Sequence, residues 1–303
     1  MSLLLITWLR GYINMSNIIL ENQDLKLEIL NPMDMNDEHF YTRYNYCGYI
    51  RQIYHKKKGI PLLGIPTDSF HPFHGEGFPD EFELPLCYES TEIGNVFLKI
   101  GVGLEEKKHE GNYSNWDMHP VRQRAATRAE FTTMEAIFTQ TAYLNEEVGY
   151  QYEKTVALGK DSCFYIRHRL MNNGNLKWKT LWYSHCFLAL PEEQKGVLVK
   201  TTSNCFIREN SPSFAHDGSD YRLVNVIKEG EGECLNWDIK PGLPNFHSVN
   251  LGSDSWEFVA EGDYPYHELQ LYSNHRIISP EPKIIIELDR GESYSWATKY
   301  SIL

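Results

Sequence analysis

The chain contains no Cys-x-x-Cys pair, no apolar run long enough to cross a bilayer, no internal repeat and no low-complexity tract. Basic residues are in deficit too: 29 Lys and Arg stand against 41 Asp and Glu, a formal net charge of −12. Each shortage removes a class of function. A surface of that sign repels phosphate backbones and anionic headgroups, which argues against nucleic acid and membrane partners and for a neutral small molecule. The six cysteines, at 47, 87, 163, 186, 205 and 234, lie far apart, several inside apolar stretches such as Cys163-Phe164-Tyr165-Ile166. Such spacing fits reduced, packed thiols in the cytoplasm better than a disulfide framework. The apolar segment Leu3 to Leu9 is too short for a membrane span and has neither a basic leader nor a small-residue cleavage site. With a second methionine at Met15, residues 1–17 read as an N-terminal arm or an upstream-start artefact, and residues 18–303 as the folded unit.

Helical spacing is scarce as well. No segment longer than about three turns keeps an apolar stripe of period 3.6 with caps at both ends, so helices should be few and short. Alternation of period two takes their place. Leu25-Lys26-Leu27-Glu28-Ile29 alternates, as do Phe164, Ile166, His168 and Leu170 with Arg167 and Arg169 on the other face, and Tyr294, Trp296, Thr298 and Tyr300. Denser apolar runs, Val96 to Val102, Leu181 to Leu190 and Lys283 to Leu288, predict strands covered on both faces. Asn172-Asn173-Gly174-Asn175, His216-Asp217-Gly218, Lys240-Pro241-Gly242 and Asp289-Arg290-Gly291 read as turns between strands. Together these predict an all-β fold, a single-domain sandwich of large antiparallel sheets.

Aromatic residues make up 13% of the chain, with 19 tyrosines, a composition common to sugar clefts and β cores. Within that background, Trp182-Tyr183-Ser184-His185-Cys186-Phe187-Leu188 places one imidazole inside a run that otherwise reads as a buried strand, and Glu268 occupies a similar strand near the C-terminus. Acid and base on a rigid sheet is one reading. A core histidine bonded to a backbone carbonyl, and a rim carboxylate paired with His267 or Arg276, is the other. Tyr183 shares the face of His185, and Trp182 points away from it. The loop His71 to Phe82 packs two histidines, three carboxylates, two glycines and two prolines into twelve residues. It reads either as a site wall, where glycines admit close backbone approach to a ligand, or as a solvated surface loop. His71, His74 and Glu76 are zinc-type donors, but they lack the spacing of a regular element, and no metal is assigned.

The order of these features resembles the aldose 1-epimerase, or galactose mutarotase-like, superfamily over nearly the whole chain from about Leu25. Phe73-His74-Gly75-Glu76-Gly77-Phe78 is similar to that family's Leu-His-Gly-Gly loop, Tyr183-Ser184-His185-Cys186-Phe187-Leu188 to its Asn-His-x-Tyr-Phe-Asn-Leu strand, and His267-Glu268-Leu269-Gln270 to its Leu-Glu-Thr-Gln strand. Asp289-Arg290-Gly291-Glu292-Ser293-Tyr294 resembles the closing Pro-Gly-Glu-x-Tyr strand. A poorly characterised aldose-epimerase-like branch resembles it further, through Arg43-Tyr44-Asn45-Tyr46-Cys47-Gly48, Glu81-Phe82 and Lys99-Ile100-Gly101-Val102-Gly103. The family's Gly-Arg-x-x-Asn-Arg-Ile segment has no counterpart here, and Cys186 stands where the branch has Asn.

The resemblance implies a supersandwich fold and an isomerase of carbohydrate metabolism that interconverts the α and β anomers of a hexose or modified sugar. Glu268 is expected to be the base and His185 the acid. The two should face one another across an open pocket about as wide as a pyranose. His74, Arg43, Glu81, Lys99, Tyr183 and Gln270 are expected to orient the sugar, Lys99 having the alternative of pairing with Glu81. No cofactor is required, the partner is a small-molecule sugar, and a homodimer is among the assemblies left open. A carbohydrate-binding protein without turnover, and a polysaccharide lyase or hydrolase on the same sandwich, are the competing functions.

Overall fold

The structure, a computed structural model, describes residues 17–34, 41–194, 196–201, 205–207, 211–217, 220–239, 245–251 and 256–303. The expected N-terminal arm up to residue 16, Met15 included, Gly218 of one expected turn and the whole Lys240-Pro241-Gly242 turn lie outside the described residues.

Two large antiparallel sheets account for most of the chain. One has eleven strands, running Asn17–Glu21, Leu25–Leu30, Asn45–His55, Phe78–Phe82, Trp178–Ser184, Ile277–Leu288, Glu268–Asn274, Gly232–Ile239 and Cys205–Ile207, with two short strands beside this path. The other has ten, from Phe214–Asp217 at one edge to Ala126–Phe131 at the other. A third sheet joins Val96–Lys99, Gly103–Glu106 and Val121–Arg124. No helix occurs among the described residues, and none is therefore long and apolar enough to cross a membrane.

The alternating residues do what their spacing requires. In Cys163–Asn172 the side chains of Phe164, Ile166, His168 and Leu170 are buried and Arg167 and Arg169 are exposed. Leu25, Leu27 and Ile29 are likewise buried. The core lies between the large sheets, where Phe78, Phe82 and Trp182 of the first meet Tyr300, Tyr152 and Trp296 of the second at ring-centroid distances of 5.1, 5.4 and 5.2 Å. Burial of each such ring stabilises the fold by roughly 1.5–3 kcal/mol. A buried ion pair between Lys154 and Asp80 is set into the same layer.

Two apolar runs end sooner than their hydropathy suggests. The Val96 run is a strand only to Lys99 and turns at Ile100 to Val102, where Tyr46 N–H donates to the Gly101 carbonyl at 3.4 Å. The Leu181 run pairs only as far as Ser184 and resumes at Leu188–Ala189. His185 falls in the gap. Its N–H donates to the Pro79 carbonyl at 2.8 Å, and Phe187 N–H to the Gly77 carbonyl at 3.0 Å, so the chain stays anchored while it leaves the ladder.

Cys47, Cys163 and Cys186 are buried thiols, as expected. Cys234 is not packed: it is exposed on Gly232–Ile239, where its strand borders a cavity.

Candidate functional site

Strand alternation separates the core from the site. Trp182 and Phe82 turn inward, so Tyr183 and Glu81 must turn outward. Registration extends this into a cross-strand row, Glu81, Tyr183, Lys283, Glu268, on four consecutive strands. A second row, Glu281, Gln270 and Asn236, runs beside it. His185 joins the second row: its Nδ1 and Glu281 Oε1 are 2.8 Å apart.

Over these rows lies a cavity of about 450 Å³, within the usual range of small-ligand pockets. His185, Glu281, Gln270 and Lys283 form its floor, and Tyr44, Trp116 and His74 its walls. Trp116 arrives on the loop that joins two strands of the small sheet, and its ring is 57% exposed, leaving an aromatic face for a ligand. Arg43 is clamped between rings, with its guanidinium carbon 4.7 Å from the Tyr44 centroid and 4.5 Å from that of Trp116.

Glu81 organises what lies beneath the floor. Its Oε2 accepts from Arg43 Nε at 2.9 Å and from Tyr183 Oη at 2.8 Å, and His185 Nε2 stands 3.3 Å away. Lys99 Nζ is 3.5 Å from its Oε1 and also donates to Tyr113. Burial opposes ionisation of Glu81, but Arg43, Lys99 and His185 outweigh it and hold the carboxyl well below the usual carboxylate range. For His185 the balance also favours charge. Burial pushes its pKa down, the bonded Glu281 and then Glu81 push it up, and the net direction is upward. The surroundings therefore favour the charged imidazole, which lies between two carboxylates with Nδ1 at Glu281 and Nε2 directed at Glu81.

The expected residues divide into three groups. His185, Tyr183, Arg43, His74 and Gln270 line the cavity together. Glu81 and Lys99, expected to orient sugar hydroxyls, are 0% exposed and sealed below it, where they hold Arg43, Tyr183 and His185 in place. Glu268, expected to face His185 across the pocket, shares the face but is two strands removed, about 10 Å sideways at the spacing of sheet strands. Lys283 stands between them and pairs with Glu268 at 3.5 Å. The carboxylate against His185 is instead Glu281, absent from the sequence reading. Its signal was available as a carboxylate held between two prolines, Pro280-Glu281-Pro282, inside a strand. Trp116 and Lys283 were also missed.

The loop glycines face a different neighbour from the one expected. Gly75 and Gly77 adopt φ of +71° and +69°, and a Cβ would lie 2.6 Å from the Tyr44 ring and 2.5 Å from the Arg51 carbonyl. They press the loop onto the protein's own strand, which fixes His74 at the cavity wall. Glu76 of the same loop turns to Arg51 at 3.4 Å, and His71 stacks on Phe73 with its ring 5.2 Å from that of His74.

No family model matches the sequence, and no curated protein matches it. Solved structures do. A galactose mutarotase-like protein from Lactobacillus casei superposes with a TM-score of 0.61 at 12% identity over 95% of this chain and all of its own. A galactose mutarotase-like protein from Clostridium acetobutylicum gives 0.59 at 13% identity over 95% of each chain. An aldose epimerase homologue from C. elegans gives 0.55 at 11% identity, covering 95% of this chain and 98% of its own. The order of sheets, the absence of helices among the described residues and these superpositions establish that the chain has the galactose mutarotase-like fold.

Proposed function

We propose that the protein is an aldose 1-epimerase-like isomerase, with His185 as acid and Glu281, rather than Glu268, as base. The observation that carries this reading is the 2.8 Å contact between His185 Nδ1 and Glu281 Oε1 on the floor of the 450 Å³ cavity. In a pyranose the anomeric hydroxyl and the ring oxygen share C1, so a base and an acid held side by side can reach both. His185 and Glu281, in contact at 2.8 Å, meet that geometry.

Ring opening then proceeds as follows. The Glu281 carboxylate removes the proton from the C1 hydroxyl, the C1–O bond to the ring oxygen breaks as the carbonyl forms, and the His185 imidazole delivers its proton to the departing ring oxygen. Glu281 ends protonated and His185 neutral. Rotation about C1–C2 presents the other carbonyl face, and reclosure returns both protons. Each positioned group contributes roughly 10²- to 10⁴-fold. Arg43, His74 and Gln270 supply hydrogen bonds to ring hydroxyls, and Trp116 a stacking face. Lys283 and Arg43 are balanced by Glu81, Glu281 and Glu268, which favours a neutral hexose over a phosphorylated one. A cytoplasmic setting suits the buried thiols.

Polarimetry of freshly dissolved pure anomers of a hexose panel tests the reading: at least one equilibrates faster with protein than without. Sugar binding with no acceleration of any anomer would replace it with a binding function.

A further inference from the structure

We infer that the cleft takes a sugar longer than one unit, with an aldose ring over His185 and a second, neutral glycosyl unit in an adjoining cavity. The first part rests on the proposed isomerase reading, and the second on geometry of its own. A second cavity, of about 380 Å³, opens between the loop around Asp68, the turn around Gly230 and the end of Glu268–Asn274. Pro66 and Tyr272 line both cavities, so the two adjoin at these residues. That junction is tied in place: Asn274 Nδ2 donates to the Pro66 carbonyl at 2.7 Å and to Tyr272 Oη at 3.3 Å. Each volume separately falls within the roughly 300–1,000 Å³ of small-ligand sites, so a monosaccharide in the first leaves the second unused.

The lining of the second cavity suits hydroxyl groups. Asp68, Glu229 and His275 bring acceptor atoms within 4.8 Å of one another, a spacing that the hydroxyls along one edge of a sugar ring can bridge. Glu231 adds a further carboxylate, and the side chain of Arg276 is engaged by Asp68. The resulting negative balance disfavours a phosphate or a uronate in this half of the cleft and favours a neutral glycosyl unit. Tyr272 offers its ring to both halves.

Gly232 supplies a selective test. It lines the second cavity and not the first, and a Cβ there would make only ordinary contacts, the nearest with the Ser273 carbonyl at 3.5 Å, so Gly232→Leu extends a side chain from that wall. Titration calorimetry of the full chain compares glucose with maltose, cellobiose and lactose, all of which carry glucose at the reducing end. At least one disaccharide should bind about tenfold or more tighter than glucose. Gly232→Leu should abolish that advantage and leave glucose binding unchanged, and the surface change Glu229→Ala should reduce it. The inference is overturned by equal binding of glucose and all three disaccharides, by a preference that survives Gly232→Leu, or by one that a chelator removes, which would assign the acidic trio to a divalent cation instead. Because binding is read and not turnover, a disaccharide preference without anomerisation refutes the isomerase reading alone, and anomerisation without a preference refutes this inference alone.

Discussion

Glu281 and His185 meet where the chain leaves the strand next to that of Glu281, Oε1 against Nδ1 at 2.8 Å, while Glu268 is turned toward Lys283 at 3.5 Å. Two carboxylates on one sheet face thus have different partners, set by one strand spacing and one register step.

The charge on His185 depends on that contact. Its pKa is held above the ordinary 6.5 by Glu281 and Glu81 against the effect of burial. A base with a raised folded pKa contributes stability that is complete below the unfolded value and is lost as pH rises through the folded one. Histidine-resolved NMR titration should place His185 above 6.5, and Glu281→Gln should lower it. An unshifted midpoint in that variant would deny Glu281 its role.

Glu105 gives a pH signature of the same sign, through a neutral acid instead of a charged base. It is fully buried, both carboxyl oxygens lack a hydrogen-bond partner, and burial, opposed by Lys99 and aided by Glu81, pushes its pKa up to about 8. The unfolded chain ionises this group from about 4.5 upward while the folded chain keeps it neutral, so folding loses stability between those values, by up to about 1.4 kcal/mol per pH unit. Glu105→Gln should match the parent near pH 4 and exceed it increasingly toward pH 8 in urea denaturation. A difference that does not grow with pH contradicts the assignment.

Lys154 and Asp80 form a sealed ion pair between the large sheets. Lys154→Met leaves a carboxylate unpaired in the core and should remove about 3–5 kcal/mol of stability. The double change Lys154→Met with Asp80→Leu should recover most of it, since no charge then remains buried. Denaturant midpoints at constant m-value measure both. A double variant as weak as the single one would show that the pair is needed for more than neutralising Asp80.

Much of this architecture was legible in the sequence because strand alternation is a local property. Phe164 to Leu170 and Leu25 to Ile29 state their buried face directly, and Tyr183, His185 and Gln270 follow from the same rule. What the chain could not show is lateral order. Glu268 and Glu281 both lie on outward faces of strands, and only the pairing of Glu281 with Gln270 and of Lys283 with Tyr183 and Glu268 decides which reaches His185. The motif likeness at His267-Glu268-Leu269-Gln270 pointed to a strand whose Gln270 lines the cavity, while the carboxylate in contact with His185 at 2.8 Å, Glu281, comes from the next strand. Trp116 was hidden for a related reason, since a loop residue's destination depends on the small sheet that carries it.

The central claim is that Glu281, not Glu268, exchanges the proton of the anomeric hydroxyl. The most direct measurement is the polarimetric rate of anomer equilibration by the parent protein, Glu281→Gln and Glu268→Gln, each verified as folded. The account predicts a fall of about 10²-fold or more for Glu281→Gln and less than about fivefold for Glu268→Gln. Loss of activity in Glu268→Gln with Glu281→Gln left near the parent rate would contradict it.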